Sequence, residues 1–278
     1  MKKLHPLLSV LFLISLGFGQ QLSEVIETYE NGNIKSITYH KKTRDGIKKV
    51  KEEGYLDNGK KEFEGTFKDG EQQGLHTYWY ENGKKKSEET WKEGKENGLF
   101  TSWYENGQKK YEGTFKDGEQ QGLHSSWYKN GEKIQEGILK DGKLDGLVTK
   151  WYENGDKKSE RNVKNEKLEG LSTFWYENGQ KKSEKTYKDG EIDGLGTNWY
   201  DDGQKDLKGT FKDGKPDGLS TSWYENGKKE WEGIYKDGKR NGLWTKWYEN
   251  GQKCIERIFQ MGEVTSVKEW NEDGSVKE

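Results

Sequence analysis

A tryptophan recurs every 24 residues through most of this chain, and the period constrains the fold more than any other feature. A tyrosine follows each of these tryptophans, and in most repeats Glu-Asn-Gly comes next. Such a period is typical of repeat architectures, in which each repeat packs mainly against its neighbours. The eight tryptophans are Trp79, Trp103, Trp127, Trp151, Trp175, Trp199, Trp223 and Trp247.

The two ends of the array depart from the period. Tyr55 extends it upstream with tyrosine in place of tryptophan, whereas the turn sequences after Tyr29 and from Trp270 are spaced irregularly. Irregular end repeats are typical of caps. We therefore predict a signal peptide at 1–19, an N-terminal cap with an irregular first repeat at 20–54, a repeat array at 55–269 and a partial C-terminal repeat at 270–278.

Each repeat reads as two strands joined by a turn. Residues 99–104 are rich in β-branched and aromatic side chains, Glu105-Asn106-Gly107 is a turn signal, and residues 111–115 follow as a second strand. Helices are disfavoured because glycine recurs at short intervals. The sequence predicts an all-β fold, an elongated antiparallel β-hairpin array of about ten repeats in a twisted single-layer or rolled sheet.

Two hairpin registers are compatible with the turn sequence. A two-residue loop would pair Trp103 with Lys110, and Leu99 with Thr114. A type I turn with Gly107 in the left-handed region would pair Trp103 with Lys109, Thr101 with Tyr111 and Leu99 with Gly113. We favour the second register because it gathers Leu99, Trp103, Tyr111 and Phe115 on one face.

The favoured register predicts a core of two columns, with glycines leaving room for neighbouring rings. The leucine column is Leu75, Leu99, Leu123, Leu147, Leu171, Leu195, Leu219 and Leu243. The second column is Phe67, Trp91, Phe115, Leu139, Val163, Tyr187, Phe211, Tyr235 and Phe259. The glycines opposite the leucines are Gly65, Gly113, Gly137, Gly209 and Gly233.

The other face is predicted to be the contact surface. Its tyrosines are Tyr80, Tyr104, Tyr128, Tyr152, Tyr176, Tyr200, Tyr224 and Tyr248, and its glutamates are Glu88, Glu112, Glu136, Glu160 and Glu184. The alternative is that the tryptophan rings are exposed and form a flat surface on which a glycan stacks. We favour tryptophans that pack on leucine and phenylalanine.

The first residues resemble a secretory signal, with Lys2 and Lys3 before an apolar run over residues 7–18. We expect cleavage near Gly19 or Gln20 and a secreted or periplasmic location. Association with the cell envelope is the alternative location. The net charge of −2 does not create the positive electrostatic field that attracts nucleic acid. The single cysteine, Cys254, excludes an intramolecular disulfide.

Asp-Gly loops such as Asp213-Gly214 and Asp217-Gly218 contain oxygen ligands suited to Ca²⁺, but aspartate and glycine are also ordinary turn residues, which we favour. His76 and His124 stand two repeats apart, too far to share a zinc ion. The glutamates repeat along the array, and no group occurs beside only one of them to perturb its pKa as a catalytic site requires. We therefore predict no enzymatic activity, no cofactor and no metal site.

Residues 112–118, Gly122-Leu123 and Trp127-Tyr128 resemble the MORN repeat, and specifically its bacterial variant form. The resemblance covers nearly all of the chain after residue 19, and such variants are often labelled antitoxin-like. We expect a non-catalytic binding or scaffolding protein with a protein partner. The alternatives are an antitoxin-like protein that neutralises one partner, for which the irregular segment 161–166 is the candidate contact region, and an envelope module that binds a glycan or the lipid of a membrane surface.

Overall fold

The computed structural model describes residues 22–278, and in this range the chain is all-β and antiparallel, which confirms the predicted hairpin array. The predicted signal peptide lies outside the described residues. Contacts divide the chain into two compact units. The first comprises residues up to Lys133 with Leu139–Gly142, and the second comprises Ile134–Ile138 and Lys143–Glu278. Their boundary falls within β11 (Lys133–Lys140).

The first unit is an antiparallel meander, in which strands pair with neighbours along the chain. Its strands are β1 (Leu22–Thr28), β2 (Ile34–Thr43), β3 (Gly46–Tyr55), β4 (Lys61–Lys68), β5 (Glu71–Gln72), β6 (Gly74–Trp79), β7 (Lys85–Lys92), β8 (Lys95–Trp103), β9 (Lys109–Lys116) and β10 (Glu119–Trp127).

The second unit continues the same pattern of hairpins after β11. Its strands are β12 (Lys143–Leu144), β13 (Gly146–Trp151), β14 (Lys157–Lys164), β15 (Lys167–Trp175), β16 (Lys181–Lys188), β17 (Glu191–Trp199), β18 (Lys205–Lys212), β19 (Lys215–Trp223), β20 (Lys229–Lys236), β21 (Lys239–Trp247), β22 (Lys253–Gln260) and β23 (Glu263–Glu269).

The turn after each tryptophan has the predicted chemistry. The amide of Gly107 donates to the carbonyl of Tyr104 at 2.8 Å, and the amide of Tyr104 donates to the carbonyl of Gln108 at 2.9 Å. Gly107 has φ +92°, a left-handed conformation that glycine adopts without a steric cost. Trp103 pairs with Lys109, as the favoured register requires. A type I turn with a left-handed glycine is therefore confirmed.

The remainder of that register is wrong, because a β-bulge lies directly beyond Trp103. The ladder shifts between Ser102 and Trp103, so Ser102 pairs with Tyr111 and Lys110 is the extra residue. Thr101 then pairs with Glu112 rather than with Tyr111, and Leu99 pairs with Thr114 rather than with Gly113. One inserted residue moves everything beyond it to the opposite face.

A second irregularity places each leucine outside the core. In the pairing of β9 with β10, Gln121 faces Thr114 and His124 faces Gly113, so Gly122 and Leu123 are extra residues. Gly122 has φ +73° and permits this backbone path. Leu123 is 57% exposed, and the other members of the leucine column are also exposed. The predicted leucine core is therefore wrong.

The packed face instead carries the second column, to which Phe115 belongs, and the residue three positions before each repeat tryptophan. We call it the aromatic face, and Phe100, Tyr111 and Phe115 define it. The Phe100 ring lies 5.8 Å from the ring of Tyr111 and 5.9 Å from that of Phe115. Residues at the position of Phe100 in other repeats include the buried His76, Val148, Ser172 and Trp244.

Glycines on the aromatic face leave room for these rings, as predicted, although they do not lie opposite leucine. A Cβ added to Gly65 would lie 2.7 Å from Cζ of Phe63, and a Cβ added to Gly233 would lie 2.2 Å from Cδ2 of Trp244. The rings therefore lie against the backbone, and glycine is the residue that allows this approach.

Candidate binding surfaces

The opposite face, which we call the tryptophan face, combines tryptophan, lysine and glutamate. Thr101, Trp103 and Glu112 define it, because Thr101 pairs with Glu112 and Trp103 pairs with Lys109. Thr101 is buried, as are its equivalents Thr77, Thr149, Thr173, Thr197, Thr221 and Thr245. The expected packing of tryptophan on phenylalanine is therefore wrong, since the phenylalanines lie on the other face.

Most glutamates of the tryptophan face have a lysine partner three residues earlier, and that lysine also lies near a tryptophan ring. Lys109 Nζ is 2.6 Å from Glu112 Oε2 and 5.6 Å from the ring centroid of Trp127. The same arrangement joins Lys181 to Glu184 and the Trp199 ring. These ion pairs are half exposed and contribute under about 1 kcal/mol each. The lysines lie near the partly exposed tryptophan rings, so a ligand that stacks on these rings has to compete with them.

Four of the five glutamates predicted for the contact surface make this pair. They are Glu88, Glu112, Glu160 and Glu184, whose partners are Lys85, Lys109, Lys157 and Lys181. Glu136 also has a partner within the structure. A ligand that binds the carboxylates has to compete with these lysines. Their role in binding stays a prediction.

The predicted tyrosines tie each turn to the next repeat. The hydroxyl of Tyr104 donates to the carbonyl of Trp127 at 2.8 Å, and in the second unit the hydroxyl of Tyr176 donates to the carbonyl of Trp199 at 2.8 Å. Burial raises the pKa of Tyr176, so the hydroxyl stays protonated and able to donate. The equivalent bonds are made by Tyr80, Tyr152, Tyr200, Tyr224 and Tyr248.

Asparagine in the same turn adds a second link. The Asn106 side-chain amide donates to the carbonyl of Lys129 at 2.7 Å, while its oxygen accepts from the amide of Gln108 at 3.0 Å. Tyr80, Asn82, Tyr104, Glu105, Asn106 and Lys129 line a shallow groove along the turns of the first unit. The tyrosines therefore hold the repeats together, and binding through their rings stays a prediction.

Replacing Tyr176 by phenylalanine should lower the free energy of unfolding of the second unit by about 1 kcal/mol, because the carbonyl of Trp199 loses its donor. Urea titration followed by circular dichroism measures the difference. Tyr187→Phe is the matched control, since the Tyr187 hydroxyl has no hydrogen bond within the described residues. Equal losses in both variants would contradict the assigned role.

The exposed leucine column is the surface that sequence reasoning placed in the core. In the second unit Leu171 is 56% exposed, Leu195 45% and Leu219 55%. Leu219 pairs with Ile234 and Leu243 pairs with Ile258, and both isoleucines are exposed as well. Because two strands separate successive leucines, the column repeats at about 10 Å. The glycine before each leucine is the sequence signal for the bulge that exposes it.

The second turn of each repeat is a two-residue loop. Lys116 pairs with Glu119 around Asp117 and Gly118, whose φ values are +54° and +89°. Aspartate and glycine tolerate these angles, which agrees with the turn interpretation that we favoured over calcium. Among residues 22–278, no three His, Cys, Asp or Glu side chains gather into a possible metal site.

His76 lies inside the aromatic face. Its side chain is fully buried, and Nε2 is 2.8 Å from the carbonyl oxygen of Thr66. Burial lowers the pKa of His76 and keeps the ring neutral. His124 occupies the same position in its own repeat and is also buried. Both histidines therefore fill the packed face of the sheet.

The family model described as MORN repeat variant matches six segments of the chain, which are 72–93, 96–117, 144–165, 168–189, 216–237 and 240–260. These segments contain the tryptophan, lysine and aromatic positions described above, and five of the six end at the first residue of the two-residue loop. The chain belongs to the MORN repeat variant family. No match to a curated protein was found. Within the described residues, no helix is long and apolar enough to cross a membrane.

Proposed function

We propose that this protein is a non-catalytic binding or scaffolding protein that acts outside the cytoplasm and holds a protein partner along its leucine column. The observation that carries the proposal is the regular exposure of these leucines. Single exposed apolar residues are ordinary, but here they recur in a regular row, in which Leu219 and Leu243 pair with isoleucine while Leu171 and Leu195 pair with threonine. The partners of the leucines in this row are uncharged threonine and isoleucine side chains, so a protein segment with apolar side chains fits it best.

The repetition sets the mode of binding. Each leucine that a partner covers contributes roughly 1 kcal/mol, because about half of its side chain remains to be buried. A partner that follows the column gains this contribution repeatedly, and contacts on one chain reinforce each other through effective concentration. Affinity should therefore rise with the number of repeats contacted.

The glycan alternative is weakened by the lysines that lie near the tryptophan rings, since a sugar ring would have to compete with them. The antitoxin-like alternative requires one dominant region. Its best candidate is the segment 161–166, where Asn165 and Glu166 both have positive φ, and Glu166 is paired with Lys143.

Substituting Leu171, Leu195 and Leu219 by lysine should reduce partner recovery at least tenfold, because three buried contacts would become charged. The full chain is immobilised and used to capture proteins from the envelope and secreted fractions, with quantification by mass spectrometry. The control carries Gln180→Lys, Gln204→Lys and Gln252→Lys. These changes add the same charge at turn positions where other repeats already have Lys60, Lys84 and Lys228.

Loss of the same proteins in the leucine variant, with retention in the glutamine control, supports the leucine column as the binding surface. Equal recovery by the leucine variant and the unmodified chain excludes it. If replacing residues 161–166 alone abolishes recovery, the antitoxin-like alternative is favoured instead.

A further inference from the structure

Three basic residues of the second unit occupy a position on the aromatic face that five other repeats fill with glycine. They are Arg161, Lys185 and Arg257, and the glycines are Gly65, Gly113, Gly137, Gly209 and Gly233. Arg161 and Lys185 stand in successive repeats, whereas Arg257 pairs with Trp244. Arg161 pairs with Ser172, and Ser172 pairs in turn with Lys185. Directly paired residues of an antiparallel sheet share a face. The guanidinium, the hydroxyl and the ammonium group therefore start from three adjacent strands of one face.

The centre of this group is buried and lacks hydrogen-bond partners. Ser172 has no exposed surface. Its Oγ and the Nε of Arg161 are both buried, and neither has a hydrogen-bond partner within residues 22–278. Buried polar atoms are nearly always hydrogen bonded, and the exceptions point to a water or an ion at the site. Two neighbouring exceptions make this place unlike any other in the described chain.

The charge of the group is also uncompensated. Within the part of the chain that the structure describes, neither Arg161 nor Lys185 forms an ion pair, whereas Lys157 and Lys181 on the other face pair with glutamates. The next residues across the aromatic face are Val148 beside Arg161 and Gly196 beside Lys185, so no carboxylate lies directly opposite either cation. Two positive charges thus flank a hydroxyl without a counter-ion.

We propose that Arg161, Ser172 and Lys185 form a binding site for a small oxyanion, such as phosphate, sulfate or a carboxylate. The guanidinium and the ammonium group can only donate hydrogen bonds, and the serine hydroxyl can donate a third. An oxyanion presents several acceptor oxygens and cancels the local positive charge, which a water molecule does not. The site lies on the face opposite the leucine column, so it is independent of the proposed partner surface.

The test uses the full chain and inorganic phosphate, with sodium chloride at the same ionic strength as the reference. Phosphate should raise the melting temperature saturably, and two-dimensional NMR titration should give its dissociation constant. Arg161→Gln and Lys185→Gln should each weaken binding roughly tenfold, since each removes a charged donor. An acetate titration distinguishes a tetrahedral from a planar ligand, and saturable binding of either anion supports the site.

Lys208→Gln is the matched control. Lys208 stands on the tryptophan face of the next repeat, opposite Thr197 and Thr221, and its loss should leave phosphate affinity unchanged. Ser172→Ala provides a further test in which both cations are retained, and binding should weaken there too. The proposal is overturned if neither phosphate nor acetate has an effect beyond that of chloride, or if the Arg161→Gln/Lys185→Gln double variant binds as tightly as the unmodified chain.

Discussion

Replacing Trp244 by alanine should lower the free energy of unfolding of the second compact unit by about 3–5 kcal/mol. Trp244 is only 3% exposed, and its ring centroid lies 4.8 Å from that of Tyr235 and 6.3 Å from that of Phe259. Its Nε1 donates to the carbonyl of Ile234 at 3.0 Å. Truncation therefore removes a buried ring and leaves a carbonyl without its donor.

Gly233 provides a test of the reason for this loss. A Cβ at Gly233 would lie 2.2 Å from Cδ2 of Trp244, so Gly233→Ala should destabilise the unmodified chain by about 1–3 kcal/mol. In a Trp244→Ala background the ring is gone and the added methyl group has room. The same glycine substitution should then be nearly neutral. Additive effects of the two substitutions would contradict the assigned contact.

Ser220→Ala is the matched control for Trp244. Ser220 occupies the same position one repeat earlier and is only partly buried, so its replacement should change stability by less than about 1 kcal/mol. Because stability in repeat proteins can vary along the chain, hydrogen exchange of β20, β21 and β22 should accompany urea unfolding. Trp244→Ala should accelerate exchange most in these strands.

The repeat, the strands and both turns could be predicted from the sequence because they depend on local chemistry. Asn106-Gly107 and Asp117-Gly118 select their turn types through backbone angles that few other residues adopt. These signals occur in nearly every repeat. The turns therefore fix where each strand begins, whatever the strands later pack against.

Which side chains lie on which face of the sheet could not be predicted, because two bulges in each repeat determine it. Lys110 looks like an ordinary strand residue, yet its insertion reverses the orientation of everything between it and the next turn. Gly122 was the better signal, since an isolated glycine in a strand often marks a bulge. Without these insertions, Leu99, Trp103 and Phe115 fall on one face, so a regular strand pattern predicts that the leucines belong to the core.

The role of the predicted contact residues could not be read from their spacing either. The tyrosines and glutamates repeat as regularly as a binding surface would, but regularity also follows from contacts between repeats. Tyr104 and Glu112 make such contacts, with the Trp127 carbonyl and with Lys109. The exceptions Arg161 and Lys185 were visible in the sequence as charged residues at a glycine position. Their convergence on Ser172 required the ladder register.

The buried carboxylate of Glu53 predicts a specific loss of stability in acid. Glu53 takes the position that buried threonines occupy in later repeats, and it is 8% exposed. Burial by itself would raise the pKa of Glu53, but hydrogen bonds from Lys51, Tyr55 and Lys61 outweigh it and lower the pKa to about 2. The ordinary value for glutamate is near 4.5.

A pKa that is depressed on folding stabilises the protein only while the group is ionised. The contribution of Glu53 should therefore be fully present above about pH 4.5 and be lost as the pH falls towards 2. A depression of this size corresponds to about 3 kcal/mol. The Tyr55 hydroxyl, which donates to Glu53 Oε2 at 2.6 Å, loses its charged acceptor over the same range.

Glu53→Gln should consequently destabilise the first unit by about 3 kcal/mol at pH 7, and the difference from the unmodified chain should shrink as the pH approaches 2. Urea unfolding of both proteins at a series of pH values measures this difference, because other carboxyl groups titrate in both and cancel. Glu64→Gln is the control: Glu64 shares Lys51 and Lys61 but is more exposed, so its loss should be smaller. A Glu53→Gln difference that stays constant from pH 7 to pH 2 would show that the carboxylate contributes by shape and not by charge.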